Sequence, residues 1–462
     1  MCLLCCSKRW YRLKKHHQCF HEEICRCWKF KQHTQNAGGT QQARQHLQEE
    51  VTMDKFTHLL LLLLNTGLLT ACPKKCSCYS KAVDCRSVSL LNFPPDIDHG
   101  TETLYLDENS LIRIPQNAFK NLTNLSYLGL SRNCLLLHNY TFDFLLELQA
   151  LDLSANYLLE IQVDLFGNLP NLTWLNLANN KFKTLPVMRR HEKLTYLDLS
   201  NNELTVLQRT FNNFPRLDTL LLNNNRLQTL PSTLLHSLHL LDVLDLSNNE
   251  LSSLPLQLFK NHRKLTDLRL DHNKLKNLTA SLFSHQVNLQ YLTISGNFIT
   301  SLSPHIFANL TKILMLDLSN NSLTCLPKIL ISGLKALQTL KLSDNLINEL
   351  KSETFRHNPN LTFLYLDNNQ LSSLPVFEGL THLEELTCSF NKLIGFPRGF
   401  AENLLKLKCL LVTNNLIRQW DPEMFQNITS VLLKDNPVCS EAMAAPVQST
   451  HIDCRKEQCS SV

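Results

Sequence analysis

The chain has 462 residues, with 45 Lys and Arg against 40 Asp and Glu, and 44% of it is hydrophobic, enough for a large buried core. Its formal charge of +5 sits at the beginning: residues 1–71 hold ten basic and five acidic residues, so 35 of each remain from Cys72 onward. Nothing in that balanced remainder suggests a nucleic-acid surface, which would need a basic stripe.

Residues 1–52 are rich in Cys, His and Gln and carry no hydrophobic period. Met53-Asp-Lys55, the leucine run Leu59–Leu69 and Thr70-Ala71 then have the form of a signal peptide, a short charged region before an apolar one. The apolar run is too short to span a bilayer comfortably. We therefore expect translation to start at Met53, with 1–52 a leader absent from the mature protein and 53–71 the signal. The rival reading is a cytoplasmic extension before a signal anchor. Cys2, Cys5, His16, His17 and His21 also suit zinc chemistry, but the leader reading leaves them no role, and no metal site or cofactor is expected.

Residues 72–100 open with Cys72, Cys76, Cys78 and Cys85, spaced C-x3-C-x-C-x6-C. Leu69-Thr-Ala-Cys72 also fits a bacterial lipoprotein box. Four cysteines allow three disulfide pairings, and spacing does not choose among them.

From residue 101 to 435 one pattern repeats. Leu241-Asp-Val-Leu244-Asp-Leu246-Ser-Asn-Asn249-Glu-Leu251 has the form L-x-x-L-x-L-x-x-N-x-L, the leucine-rich repeat. The asparagine recurs at 109, 133, 156, 180, 202, 225, 249, 273, 297, 321, 345, 369, 391, 415 and 436. Leu244 and Leu246 are two apart and enter the core from one strand face; Val243, Asp245 and Ser247 point to the exposed face. Leu254-Pro255 and then Phe259 mark the second half, and Phe119, Phe142, Phe166, Phe211, Phe283, Phe307, Phe355, Phe400 and Phe425 hold the same place. They predict an aromatic spine beneath the convex side. One repeat cannot bury its own apolar face, so stacking builds the core. The fold class is thus α/β, a curved leucine-rich repeat solenoid with a parallel sheet on its concave face and a disulfide-tied N-terminal cap. The repeats ending at Asn202 and Asn391 span 22 residues and are read as lacking the phenylalanine, with convex segments trimmed around Pro186-Val-Met and Pro375-Val-Phe.

Nine N-x-S/T sequons, at Asn121, Asn124, Asn139, Asn171, Asn277, Asn309, Asn320, Asn360 and Asn427, point to a glycoprotein. Asn320 is the weakest of them, since it adjoins the ladder residue Asn321. Cys388 replaces a strand leucine and reads as a buried thiol; Cys134 and Cys325 fall in turns, and Cys409 on the sheet surface. Residues 436–462 start with Asn436-Pro-Val-Cys439 and hold only Cys439, Cys454 and Cys459, which reads as a reduced or truncated C-terminal cap.

The cysteine spacing, the repeat and the Asn436-Pro motif closely resemble extracellular leucine-rich repeat proteins, in particular the vertebrate plasma and cell-surface group. The resemblance covers Cys72 to about Cys439. It implies the pairs Cys72–Cys78 and Cys76–Cys85, and a C-terminal cap with four cysteines and a tryptophan, from which this chain departs.

The frame places Tyr105, Tyr127, Trp174, Tyr196, Tyr291, Phe363 and Tyr365 on the concave sheet. It also places Asp107, Asp152, Asp198, Asp245, Asp267, Asp271, Asp317, Asp367 and Glu385 there, against Arg269, Lys341 and Lys434. Exposed aromatics on a rigid surface are the usual anchors of protein interfaces. An acidic excess favours a basic partner through steering, although Asp also simply keeps an exposed strand soluble. No G-x-S-x-G, HExxH or P-loop occurs, so an enzyme is not expected. The expected function is a secreted, non-catalytic protein-binding scaffold in the extracellular space. A protein partner, anchored by Trp174, Tyr196 and Tyr291 and oriented by Asp198, Asp245 and Asp271, would dock on the concave sheet, with no nucleic acid and no membrane span. The alternative is the ectodomain of a truncated adhesion or receptor protein.

Overall fold

The computed structural model describes residues 72–207, 210–442 and 452–453. The expected leader, the signal peptide, Cys454 and Cys459 lie outside the described residues. Strands β1 (Ser77–Tyr79) and β2 (Ala82–Asp84) form an antiparallel hairpin, and β2 starts a parallel sheet. Fifteen three-residue strands follow, one per repeat, from β3 (Thr103–Tyr105) to β17 (Ser430–Leu432), and β18 (Ile452–Asp453) pairs with β17. The register is straight: Leu220, Leu244 and Leu268 are direct neighbours in consecutive strands, and all three are fully buried. A strand of form x-Leu-x buries its middle residue and leaves its two neighbours on the open face.

The asparagine ladder explains why each strand stops. Asn297 Nδ2 donates to Leu270 O of the previous coil at 3.0 Å and to Ile294 O at 3.1 Å, and its Oδ1 accepts from Leu275 N at 3.0 Å. The residue before every ladder asparagine, from Glu108 through Asn248 to Asp435, has a positive φ. Left-handed backbone is least costly for Gly, Asn and Asp, which is why N-N recurs in the sequence. Asn320, the doubtful sequon, is one of these turn residues, with φ 50°.

The convex side is built from turns and short 3-10 segments such as Ser352–Phe355, and the one α-helix among the described residues, Pro437–Ala442, lies past the array. The spine is present. Phe119, Phe142 and Phe166 stack at 6.0 and 6.3 Å, and Phe259, Phe283 and Phe307 at 6.1 Å. Where a coil lacks it, Leu235 and Ile331 fill the place. The expectation that both short repeats lack the aromatic is corrected at one of them. Phe377 is fully buried and packs edge-on against Phe355 at 5.3 Å and Phe400 at 6.0 Å. The trimmed segment shifts the ring nearer its proline but keeps it in the column. In the other short repeat Met188, 2% exposed, lies in the trimmed segment instead.

The cap carries the disulfides Cys72–Cys78 and Cys76–Cys85. Val83 and Cys85 are buried, so β2 supplies the core with the same inward pattern as a repeat. Cys388 is buried and free, as expected, and Cys325 is exposed and free. Cys409 differs from its expectation as a surface thiol: it is 7% exposed and disulfide-bonded, as is Cys439. A disulfide cysteine thus stands inside the array, on β16 (Cys409–Leu411), where a count confined to the C-terminal stretch misses it. No helix among the described residues is long and apolar enough to cross a membrane.

Candidate functional site

Each strand presents its first and third residues on the sheet face turned away from the core. On β3 and β4 (Tyr127–Gly129), Tyr105 and Tyr127 pack at 5.2 Å with a 49° tilt. On β6 (Trp174–Asn176) and β7 (Tyr196–Asp198), direct neighbours in register, Trp174 and Tyr196 stack at 5.3 Å and 12°. These four are half-buried. The strand between the pairs, β5 (Ala150–Asp152), offers only Ala150 at that level.

The other aromatics stand apart. Tyr291, 42% exposed, is on β11 (Tyr291–Thr293), between Asp267 and Met315. Four strand steps, about 19 Å, separate it from Tyr196. Phe363 and Tyr365 share β14 (Phe363–Tyr365), three strands further on. The expected trio is therefore a contiguous pair, Trp174 and Tyr196, plus a separate Tyr291.

The acids are less exposed than their frame positions imply. Asp245 is 7% exposed, and its Oδ1 accepts from Ser247 N at 2.9 Å and Ser247 Oγ at 2.6 Å. Asp198 Oδ1 accepts from Ser200 N at 2.8 Å, and the Tyr196 hydroxyl points at its Oδ2 from 3.4 Å. Asp271 Oδ1 accepts from Ser295 N at 2.7 Å and Ser295 Oγ at 2.8 Å, while the Thr293 hydroxyl donates to Oδ2. Asp107 binds Ser131 in the same way, across Gly129, where a Cβ would come within 2.2 Å of Asp107 Oδ2. These carboxylates fasten strand ends to the backbone, and burial pushes the carboxyls of Asp107, Asp245 and Asp367 above the ordinary range. Tyr127 and Tyr196 are pushed up to about 12, chiefly by burial, with Asp152 among the charges felt by both phenols.

Charge divides the face. Arg269 pairs with Asp267 at 2.7 Å and stands 3.9 Å from Asp245, and Lys341 lies 3.5 Å from Asp317. On β5–β7, among the described residues, no Lys or Arg pairs with Asp152 or Asp198. Arg86, which sequence reasoning missed, sits over the Tyr105 ring at 4.5 Å and pairs with Asp84 at 2.6 Å. Its signal was present: Val83 and Cys85 continue the inward frame into the cap, which sends Asp84 and Arg86 outward.

The sequon asparagines are exposed except Asn171, which is half-buried and donates from Nδ2 to Leu146 O at 2.9 Å. No group of His, Cys, Asp and Glu among the described residues is placed to hold a metal ion.

The family model described as Leucine rich repeat matches residues 99–158, 147–204, 215–275, 263–323, 287–347, 315–371 and 335–393, more than half of the chain. Zebrafish (Danio rerio) leucine-rich repeat-containing protein 3 is 45% identical over 69 residues, 14% of this chain and 26% of that protein. The match thus spans about a quarter of that relative. Among solved structures, the Toll–Spatzle complex of Drosophila aligns at TM-score 0.64 and 28% identity, over 74% of this chain and 48% of that one. The plant peptide hormone receptor RGFR1 in complex with RGF2 aligns at 0.57 and 26%, over 73% and 60%. The straight leucine register, the asparagine ladder and the family match agree: this chain belongs to the leucine-rich repeat family.

Proposed function

We propose that the protein is a secreted leucine-rich repeat glycoprotein that binds a protein partner on its open sheet face and carries out no catalysis itself. The observation that carries this reading is the Trp174–Tyr196 stack, two large rings held side by side on strands β6 and β7, facing away from the core. Rings fixed by a parallel sheet lose little conformational freedom on binding, which suits an interface anchor. The signal-like stretch from Met53 to Ala71, the sequons and the cap disulfides support an extracellular site. Processing before Cys72 and sugars at the nine sequons belong to the same proposal, as does kinship with the plasma group that includes carboxypeptidase N regulatory subunit, platelet glycoprotein V, leucine-rich alpha-2-glycoprotein and the acid-labile subunit.

The likeness to a peptide hormone receptor holding its peptide favours a second reading, the ectodomain of a cell-surface receptor or adhesion protein. Release into the medium on expression supports the first reading, and partition into a detergent phase the second. The binding face is tested by surface kinetics against a partner captured from plasma. Trp174→Ala or Tyr196→Ala should each weaken binding by about 2 kcal/mol, and the convex control Lys260→Ala should not. Loss on the convex change with none on the two concave ones overturns the reading.

A further inference from the structure

Among the described residues, the open face holds a filled cation–aromatic station and, further along, a second set of the same ingredients. In the first, the Arg86 guanidinium lies 4.5 Å from the Tyr105 ring centroid, held by bonds from Nε to Asp84 Oδ1 at 3.0 Å and from an amino nitrogen to Asp84 Oδ2 at 2.6 Å. A carboxylate at the third position of a strand and an aromatic face on the next strand are its ingredients.

The same ingredients recur three strands further on. Tyr127 on β4 leans on Tyr105, and Trp174 on β6 stacks on Tyr196, so the two pairs turn toward partners on opposite sides. Between them β5 carries Ala150, in register with both Tyr127 and Trp174, and Gly129 lies beside Asp152. Two strand steps separate the backbones of Tyr127 and Trp174, about 10 Å, which leaves the width of one flat side chain over Ala150 between the two aromatic strands. Asp152 stands two residues from Ala150 on the same open face. Its Oδ1 is fixed by Ser154 N at 2.8 Å, and its Oδ2 has a long contact from Asn176 Nδ2 at 3.4 Å. A carboxylate oriented by its own backbone, with one oxygen weakly engaged, suits a bidentate cation.

Resting on the proposed use of this face, we infer that the slot between Tyr127 and Trp174, floored by Ala150 and closed by Asp152, receives an arginine side chain from an extended segment of the partner protein. Arginine fits better than lysine because its flat guanidinium stacks against aromatic faces while binding a carboxylate through two N–H groups. Among the described residues no Lys or Arg pairs with Asp152 or Asp198, which supplies the charge complementarity, in contrast to the ion-paired surface around Arg269 and Lys341.

The test uses the full chain and a fluorescein-labelled peptide of alternating arginine and serine, with lysine and citrulline versions, read by anisotropy. The arginine peptide should bind, the lysine version several-fold more weakly, and the citrulline version at least tenfold more weakly. Ala150→Leu, which fills the slot without touching charge, and Asp152→Asn should each cost tenfold or more. Asp317→Asn, on the ion-paired half, should change little. Circular dichroism checks that the variants fold. Absence of arginine-peptide binding at millimolar concentration, or equal binding by citrulline, overturns the slot. So does loss with Asp152→Asn alone, which marks diffuse attraction to acid. If Trp174→Ala still weakens the natural partner while the slot variants do not, the slot fails and the sheet-face reading stands.

Discussion

Asn249 reaches across one full coil: its Nδ2 donates to Leu222 O, 27 residues earlier, at 2.9 Å, while its Oδ1 accepts from Leu227 N at 3.0 Å. The same nitrogen also serves Leu246 O and Ser247 O, both at 3.1 Å, and the side chain is 6% exposed. One amide therefore ties two consecutive coils at the point where the strand ends. Asn249→Ala leaves a buried N–H and buried carbonyls without partners and should cost about 2–4 kcal/mol. Asn249→Asp should not restore it, because a carboxylate cannot donate to Leu222 O. Denaturant unfolding, with hydrogen exchange of residues 222–273 to locate the loss, checks both variants. A cost near that of the convex Lys260→Ala would show that the ladder is decorative.

The ladder carries over to Asp245, where direction alone misleads. Its frame position predicts an exposed change of within roughly 0.5 kcal/mol. Its two bonds from Ser247 instead predict a cost of about 1–2 kcal/mol for Asp245→Ala, since the Ser247 N–H loses its acceptor. Leu244→Ala, which opens the shared core, should cost more, about 2–5 kcal/mol. Asp245→Asn keeps an oxygen for Ser247 N and should be nearly silent. Thermal melts of the three variants give the order directly.

The array was legible because its period is covalent. A ladder residue every 21 to 24 positions sets strand, turn and core together, and a slip of one residue would invert every side chain. The neighbouring places of Trp174 and Tyr196 were legible for the same reason, since 22 residues is one short repeat, but their stacking was not. What escaped depends on local bonding or on chain length between fixed points. Asp245-Leu-Ser247 was visible as letters, but in-or-out alternation does not say that a serine hydroxyl and N–H turn back onto the carboxylate. Phe377 was misplaced because its distance from the preceding proline shrinks when the coil is trimmed, while its column is set by Phe355 and Phe400. The slot at Ala150 had no signal of its own, since a small residue is informative only once its neighbours in space are known.

His262 makes the middle of the array sensitive to acid. It is 1% exposed, and Nε2 donates to Leu235 O at 2.9 Å, which leaves the unpartnered Nδ1 without a proton. Burial lowers its pKa from the ordinary 6.5, the bond to Leu235 opposes that, and His239 and His236 act in the same direction as burial. A folded pKa below the unfolded one means the unfolded chain binds protons first as pH falls. Stability is therefore full above 6.5 and drains as pH drops toward the folded value, by at most about 1.4 kcal/mol per pH unit. His262→Gln keeps a donor for Leu235 O, as Gln286 does for Phe259 O in the next coil, and removes the titration. Melting temperature between pH 7.5 and 5 should fall less steeply in that variant than in the parent. Parallel profiles would place the acid response elsewhere.

The cysteines separate by structure in a way a single labelling experiment reads. Cys325 is exposed and free, Cys388 is free with no exposure, and Cys409 is disulfide-bonded. Burial raises the Cys388 thiol well above its usual pKa, so it is short of both access and thiolate. Iodoacetamide on the native, unreduced protein should mark Cys325 and spare the other two. Denaturation without reduction should add Cys388, because unfolding restores water and lowers its pKa toward the ordinary value. Only reduction should add Cys409, together with Cys72, Cys76, Cys78 and Cys85 of the cap. Labelling of Cys409 before reduction would return it to the sheet surface, where its place in the repeat first put it. Labelling of Cys388 in the native protein would mean that the core at β15 (Glu385–Thr387) opens without global unfolding, against the full burial of Leu386 beside it.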